Sequence, residues 1–227
     1  MPLFSEPPDS FSVLAKAALR KDLRARRAAF NQAERGLAGL QLVRFALRHR
    51  LLTRQRRIGF YMPAKNEIDV LPLLRAALRI GARCYLPVIP RRALVSAGRR
   101  KLWFTRLIGN EKILNQAHAA WKNNRYGIPE FLPRAARHIR ARQLDLLFMP
   151  MLGFDAQGWR IGMGGGYYDA SLAYLRKSSV RAPQWRHPRL IGVAFSVQEI
   201  AAAPSDPWDV PLDGILTERG YRLARKV

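Results

Sequence analysis

The sequence has few of the residues on which disulfide and membrane chemistry depend. It contains one cysteine, Cys84, so no disulfide can form within the chain. Cys84 lies in an apolar stretch at residues 84–86, and we interpret it as a small buried hydrophobic residue rather than a nucleophile. No apolar run approaches the ~18 residues of a membrane-spanning helix, and residues 1–6 lack the basic and apolar regions of a secretory signal. These absences predict a cytoplasmic protein with no membrane contact.

Acidic residues are also scarce. The 16 Asp and Glu stand against 40 Lys and Arg, which gives a formal net charge of +24. A field of this strength attracts polyanions, so nucleic acid, ATP and an anionic cofactor with several carboxylates are all candidate partners. The charge is equally consistent with arginine-rich solvated surfaces, because the basic residues are spread along the whole chain. Composition alone therefore does not choose a function.

The order of apolar patterns predicts the fold class. Helical spacing is present at residues 11–30, 36–51 (with Leu37, Leu40, Leu47 and Leu51 on one stripe), 68–79 and 167–176. Strand-like runs lie at residues 58–62, 84–89, 102–107, 145–150, 190–195 and 214–217. A strand, a helix and a second strand in succession imply a parallel sheet. We expect a flexible arm at residues 1–10, which contain three prolines, and one three-layer α/β domain over 11–227, its mostly parallel central sheet flanked by helices.

A glycine-rich segment at residues 160–169 is the strongest local signal. It lies between a predicted strand and a predicted helix, the context in which backbone N–H groups and a helix N-terminus bind phosphate. The segment matches neither the Walker A pattern nor the dinucleotide fingerprint. From the residues alone, anion binding and a plain tight turn both remain open. The four histidines (His49, His118, His138 and His187) show no metal-ligand spacing.

Carboxylates near this segment are candidate metal ligands. Asp169 directly follows the glycines, and a carboxylate beside a phosphate site needs a cation between them. Mg²⁺ suits this position because it takes one or two carboxylates together with phosphate oxygens and water. Asp209 is a candidate second ligand, and Asp213 a less favoured one. The competing interpretation of Asp169 is an acidic residue that complements the dipole of the following helix.

Two further charged positions suit an anionic, heterocyclic ligand. Lys16 and Arg20 stand four residues apart on one face of the first predicted helix and could grip a triphosphate, although a solvated basic face has the same pattern. Glu67 follows the strand at 58–62, where open α/β sheets place ligand contacts. Its carboxylate could accept the adjacent N–H and NH₂ donors of a pterin-like ring, or it could simply neighbour a helix N-cap.

Five segments of the chain resemble, in the same order, the 5-formyltetrahydrofolate cyclo-ligases, also called methenyltetrahydrofolate synthetases. The similar segments are residues 16–27, 61–69, 126–130, 145–169 and 209–218. The resemblance extends over about residues 12–220. It implies that ATP and Mg²⁺ support the cyclisation of 5-formyltetrahydrofolate to 5,10-methenyltetrahydrofolate, with release of ADP and phosphate, through an N5-iminium phosphate intermediate. It also implies a cytoplasmic monomer whose substrates are the small molecules ATP and 5-formyltetrahydrofolate. Whether the folate carries a polyglutamate tail stays open. Nucleic acid would bind only non-specifically, if at all.

The resemblance also assigns residues to this chemistry. It implies ATP-binding positions at Lys16, Arg20, Arg160, Gly162, Met163, Gly164, Gly165, Gly166, Tyr167 and Tyr168. It implies folate-binding positions at Arg20, Met62, Glu67, Tyr126, Met163 and Tyr167, and magnesium ligands at Asp169 and Asp209. The sequence departs from the family pattern at Met163, where Arg or Tyr is more usual, and at Ala170, which replaces a frequent Arg. These departures bear on affinity more than on the type of reaction.

Two other functions compete with this expectation. The high net charge suits a nucleic-acid-binding protein that keeps the same fold without catalysis. A related ATP-using enzyme with another substrate is the second, because a fold does not fix a function.

Overall fold

The computed structural model describes residues 10–89, 101–109, 111–114, 120–133, 138–176 and 187–225, with side chains from residue 16 onward. Nine of the ten residues of the predicted arm lie outside these ranges, and the tenth, Ser10, begins the first helix. The division into an arm and one domain therefore stays a prediction.

The described residues alternate helices and strands, as the apolar patterns predict. The helices are α1 (Ser10–Ala28), α2 (Gln32–Arg48), α3 (Leu71–Ile80) and α4 (Tyr167–Leu172), the last continued by a 3₁₀ turn at Ala173–Arg176. The strands are β1 (Arg57–Gly59), β2 (Arg83–Val88), β3 (Trp103–Arg106), β4 (Trp121–Asn123), β5 (Pro129–Phe131), β6 (His138–Ile139), β7 (Leu146–Pro150), β8 (Gly153–Phe154), β9 (Arg160–Ile161), β10 (Arg189–Val193), β11 (Gly214–Thr217) and β12 (Gly220–Leu223).

The main sheet has the order β12-β11-β10-β7-β1-β2-β3-β6. The five central strands from β11 to β2 are parallel, and the pairs β11–β12, β2–β3 and β3–β6 are antiparallel. This confirms the predicted α/β fold with a mostly parallel sheet. Because the carboxyl ends of parallel strands meet at one edge of a sheet, the segments that follow β1, β7 and β10 lie close together there.

Side chains alternate between two cores on opposite faces of the sheet. In β7, Leu146 and Phe148 join the core that α2 and α3 cover, whereas Leu147 and Met149 join the core that contains Leu172 of α4. The same alternation runs through β2 and β10. A central sheet with helices on both faces gives the three layers that the sequence predicts.

Helix α2 is present where the spacing predicts it, but its leucine stripe does not face the core. Leu37, Leu40 and Leu47 are exposed, while Leu51, just after the helix, is fully buried. The buried face of α2 consists mainly of small residues: Ala38, Gly39, Leu42 and Ala46. A Cβ atom on Gly39 would lie 2.6 Å from the carbonyl oxygen of Asp69, so close packing against the segment before α3 requires the small face.

Cys84 is buried in β2, which confirms its interpretation as a core residue. Burial raises the pKa of its thiol to about 12. The thiol is therefore protonated and unreactive at neutral pH.

Helix α1 crosses the carboxyl edge of the sheet. Its Leu23 is fully buried in a small core with Leu152, Ile161 and Ala203. Below it, the β8–β9 hairpin turns around Asp155, whose two carboxylate oxygens accept hydrogen bonds from the backbone N–H groups of residues 157, 159 and 203 at 2.9–3.0 Å. These contacts place the segment after β9 beside α1 and residues 203–210. Within the described part of the chain, no helix is long and apolar enough to cross a bilayer.

Candidate functional site

A glycine loop at residues 162–166 connects β9 to α4. Gly164 has φ = +95° and Gly166 has φ = +64°, left-handed conformations that glycine adopts without steric cost. A Cβ atom built on Gly162, Gly164 or Gly166 would meet no described heavy atom within 4 Å. The loop is therefore open along one side, as a site for an incoming anion requires.

Two cations of α1 reach this part of the molecule. Arg20 donates from Nε to the carbonyl oxygen of Gly162 at 3.2 Å. Lys16 donates from Nζ to Oδ2 of Asp206 at 2.6 Å, and its side chain is only 13% exposed. Both side chains are thus drawn towards the loop and the 206–209 segment rather than spread over a solvated face.

Carboxylates gather beside the loop around one buried guanidinium. Arg160 pairs with Asp169 and also donates to the carbonyl oxygen of Val210. The carboxylate of Asp209 accepts a hydrogen bond from the backbone N–H of Asp206 at 2.8 Å. Burial raises the pKa of Asp209, and the charges of Asp169 and Asp206 raise it further. Asp209 is therefore close enough to Asp169 and Asp206 to be repelled by both, and a bound cation would relieve that repulsion.

The two predicted metal ligands fit Mg²⁺ as a companion of a phosphate ligand. The described residues contain no group of three or more His, Cys, Asp or Glu side chains arranged to hold a metal by themselves. Mg²⁺ needs only one or two carboxylates when phosphate oxygens and water complete its shell, and Asp169 with Asp209 meets that need. Asp213 lies elsewhere: its Oδ2 accepts from the backbone N–H of Leu190, at the start of β10 and the opposite edge of the sheet.

The other half of the site is a buried ion pair. Glu67 accepts a hydrogen bond from the backbone N–H of Ala64 at 3.0 Å and another from Nη1 of Arg27 at 3.3 Å. The Arg27 and Glu67 side chains are 6% and 7% exposed. Burial raises the pKa of Glu67, and the Ala64 N–H and Arg27 act in the opposite direction.

A tight space, with about 150 Å³ free of atoms, adjoins this ion pair at the carboxyl edge of the sheet, so a bound ring requires the surrounding side chains to move apart. It is lined by Arg27, Tyr61, Glu67, Ile68, Pro150, Met151, Val193 and Gln198. Met62 is buried next to Tyr61 in the segment that leaves β1. Because Pro150 and Val193 end β7 and β10, the space occupies the position where α/β sheets bind ligands.

Charges from both halves act on the hydroxyl of Tyr168. Burial raises the pKa of its hydroxyl, the charge of Glu67 raises it further, and Arg160 lowers it. Tyr168 thus lies within electrostatic reach of both Glu67 on one side and Arg160 on the other. Arg20 and Arg27, on one face of α1, contact Gly162 and Glu67, so the glycine loop and the Glu67 pocket lie along the same helix.

An aromatic pair stands at the outer side of the loop. The hydroxyl groups of Tyr126 and Tyr167 are 3.2 Å apart, and their rings meet edge to face with centroids 6.4 Å apart. Arg125 donates to the Tyr167 hydroxyl. Tyr126 and Met163 are half-exposed or more, so both can contact a ligand at the mouth of the site.

The structure adds three residues to those named from the sequence. Arg27 shares the face of α1 with Lys16 and Arg20. The sequence does not connect it with the pocket, because its partner Glu67 is 40 positions away. Asp206 binds Lys16 across 190 positions. Gln198 donates to the carbonyl oxygens of Met151 and Leu152 at 2.9 and 2.8 Å and so shapes the pocket floor. Only the basic face of α1 gave a signal for any of them.

Comparison with known families shows that most of the chain matches a single family. Residues 13–218 match the model of the 5-formyltetrahydrofolate cyclo-ligase family. The chain is 28% identical over 204 residues to the 5-formyltetrahydrofolate cyclo-ligase of Mus musculus, covering 90% of this chain and 94% of the mouse protein. It is also 28% identical over 200 residues to the enzyme of the same name from Haemophilus influenzae, covering 87% of this chain and 95% of that protein.

Solved structures share the fold. The 5,10-methenyltetrahydrofolate synthetase of Aquifex aeolicus superposes with a TM-score of 0.70 at 24% identity, over 93% of this chain and 94% of that one. The synthetase of Mycoplasma pneumoniae gives a TM-score of 0.61 at 23% identity, over 89% and 98% of the two chains. At this identity the superpositions establish a common architecture.

Proposed function

The chain belongs to the 5-formyltetrahydrofolate cyclo-ligase family, and from this premise we propose that it converts 5-formyltetrahydrofolate to 5,10-methenyltetrahydrofolate with ATP and Mg²⁺. One observation carries the proposal beyond family membership. An open glycine loop with two nearby carboxylates and a buried carboxylate pocket are both contacted by α1, through Arg20 and Arg27. A reaction between a nucleotide and a flat heterocycle needs such neighbouring sites.

On the nucleotide side, the amides of residues 162–166 and the cations Lys16 and Arg20 bind the phosphates. Arg160 holds Asp169 in place from within the protein. Asp169 and Asp209 would bind Mg²⁺, which would neutralise phosphate charge. Tyr168 follows the loop at the start of α4, within electrostatic reach of Glu67.

On the folate side, Glu67 accepts the adjacent N–H and NH₂ donors of the pterin ring. Met62 supplies an apolar wall, and Tyr126, Tyr167 and Met163 contact the folate from the mouth of the site. Arg20 lies between the two ligands because it reaches the Gly162 carbonyl from α1.

The chemistry requires activation of a formamide oxygen, which is a poor leaving group. The γ-phosphoryl group passes from ATP to the formyl oxygen, which yields ADP and an N5-iminium phosphate. The N10 amine then attacks the formyl carbon and loses its proton, the five-membered ring closes, and phosphate leaves. Positioning and charge neutralisation supply the rate in such transfers, so this route needs no protein nucleophile.

The test is a direct assay with the purified protein, MgATP and 5-formyltetrahydrofolate. We expect the methenyl absorbance to rise with one ADP formed for each ring closed. ADP formation without methenyl product would instead favour a related ATP-using enzyme with another substrate. Absence of both products at saturating ligands would refute the proposal.

The same proposal includes a cytoplasmic monomer. A single buried cysteine suits a reducing compartment, and the net charge of +24 opposes self-association. A nucleic-acid-binding role on this fold has the charge in its favour, but such a role gives no reason for Glu67, Asp169 and the open glycines to share one site. Any oligonucleotide affinity should therefore fall steeply with salt, as for non-specific contacts.

A further inference from the structure

Arg27 has a buried donor that no described atom accepts. Its Nη1 donates to Glu67, but its Nε is buried without a hydrogen-bond partner. The side chain is 6% exposed, so bulk solvent does not satisfy this N–H group. Buried polar groups are almost always paired, and a charged one is costly to leave unpaired. The orphaned donor indicates that an acceptor is missing beside Arg27.

The space that adjoins Arg27 has few other free donors. The Tyr61 hydroxyl donates to the carbonyl oxygen of Ile68 at 3.4 Å. Both hydrogen bonds of the Gln198 amide nitrogen go to the backbone, and its oxygen accepts from the backbone N–H of Phe195 at 2.9 Å. Among the polar side chains described as lining this space, Arg27 therefore has a buried N–H donor that still lacks an acceptor.

The chemistry of the ligand supplies that partner. A pterin ring presents three groups in a row along one edge: a carbonyl oxygen, an N–H and an NH₂. When Glu67 accepts from the two donors, the carbonyl oxygen is left next to the carboxylate and needs a donor there. The Arg27 guanidinium is 3.3 Å from Glu67 Oε1, and its planar array of N–H groups can serve a second acceptor in the same plane.

We propose that Arg27 binds the substrate directly, donating a hydrogen bond to the ring carbonyl oxygen while Glu67 accepts from the neighbouring N–H and NH₂ groups. This assignment rests on the proposed folate function and deepens it, because it names the residue that distinguishes a carbonyl-bearing ring from its amino analogue. A site built around a buried donor rejects a ligand that lacks the acceptor far more strongly than an apolar pocket does.

The test compares two ligands in two proteins. The ligands are 5-formyltetrahydrofolate and its analogue with an amino group in place of the ring carbonyl. Because the analogue also lacks the neighbouring ring N–H, the contribution of Arg27 is measured as the change in their affinity ratio between wild type and variant. In Arg27→Met, we expect the KM for 5-formyltetrahydrofolate to rise about ten- to hundredfold, as for loss of a charged hydrogen bond, with the KM for ATP unchanged. The preference for the carbonyl ring, measured as the ratio of the two dissociation constants, should fall at least about tenfold.

Arg24→Met is the matched control, because Arg24 is an exposed arginine on the same helix. It should leave both affinities and their ratio unchanged. If Arg27→Met weakens both ligands equally and the ratio stays at the wild-type value, Arg27 acts only by supporting Glu67 and the proposal is wrong.

A measurement on the wild-type protein covers the case in which Arg27→Met does not fold. The Nε–H resonance of Arg27, assigned in arginine-labelled protein, should move downfield on saturation with 5-formyltetrahydrofolate but not with the amino analogue. An unmoved resonance at saturation would overturn the proposal. Failure of the cyclo-ligase function would show separately, as wild-type protein that forms no methenyl product.

Discussion

The two halves of the site differ in how far their ion pairs are exposed to solvent. Around the glycine loop, the acidic partners of two ion pairs are partly exposed. The side chains of Asp206, which pairs with Lys16, and of Asp169, which pairs with Arg160, are each 27% exposed. In the half proposed to bind folate, Arg27 and Glu67 are almost completely buried. A polyanion can exchange partners with exposed ion pairs, whereas a buried pair keeps one geometry. The half proposed to bind the nucleotide is thus suited to charge, and the half proposed to bind folate is suited to shape and hydrogen-bond pattern.

The largest expected effect comes from Asp169→Asn. Asparagine keeps an oxygen that can accept from Arg160 but removes the charge that a metal requires. We expect kcat to fall at least about a hundredfold, as when a preorganised electrostatic contact is removed, with the thermal unfolding midpoint close to wild type. The matched control is Asp22→Asn, which changes an exposed aspartate paired with Arg26 on α1. Near-normal turnover of Asp169→Asn in saturating MgATP would remove Asp169 from the metal site.

Glu67→Gln tests the other half. The KM for 5-formyltetrahydrofolate should rise about ten- to hundredfold because a charged acceptor is lost, while the KM for ATP should change little. Steady-state kinetics with each substrate varied in turn gives both values. Glu34→Gln, at the exposed capping box of α2, serves as the control. A larger change in the KM for ATP than for folate would contradict the pterin contact.

The pH dependence of folate binding sharpens the same contrast. Only ionised Glu67 accepts two N–H groups, and burial raises its pKa in the free protein. As pH falls through this raised pKa, the neutral form accumulates, so the folate KM should climb at a higher pH than an ordinary glutamate would cause. In Glu67→Gln this rise should disappear. A wild-type folate KM that stays flat to the usual carboxyl range near pH 4.3 would contradict the pKa direction.

A smaller effect is expected from Gly164→Ala. Alanine at φ = +95° is strained by about 1–3 kcal/mol, so the loop should relax and the KM for ATP should rise about fivefold to tenfold. The folate KM should change less, because Glu67 and Arg27 lie outside the loop. Gly162→Ala is the matched control, because its added methyl group also meets open space but its φ lies outside the left-handed region. Equal effects of the two substitutions would mean that methyl bulk, not loop conformation, decides the affinity.

The sequence predicts the central elements well because their patterns are periodic. The β1–α3–β2 unit and β7 have apolar runs bounded by turn residues; the three strands are present in the sheet, and α3 packs in the core on one of its faces. Strands such as β6, with two residues, and β12, with Tyr221 and Arg222, show no periodicity and were not predicted. The exposed leucines of α2 show that spacing identifies a helix but not the face that packs, because Gly39 demands a closer contact than leucine allows.

The residues of the candidate site likewise fall into those that the sequence identifies and those that it does not. Glu67, Arg20 and Asp169 are visible in the sequence because each belongs to a motif. The partners of these residues are not visible, because they come from distant segments. Lys16 meets Asp206 across 190 positions, and Arg27 meets Glu67 across 40. The sequence thus names the groups that we propose for the chemistry, whereas the folded sheet determines which charged side chains face one another.

The lone thiol of β2 gives this protein a built-in indicator of unfolding. Cys84 pairs in register with Ile58 of β1, in the parallel centre of the sheet, and its proton is held far above neutral pH. A chromogenic disulfide reagent can label it only when those strands separate, so the rate of labelling measures how often the sheet opens. The stabilising effect of each ligand, nucleotide or folate, can then be read as slower labelling in an unmodified chain, without an introduced probe.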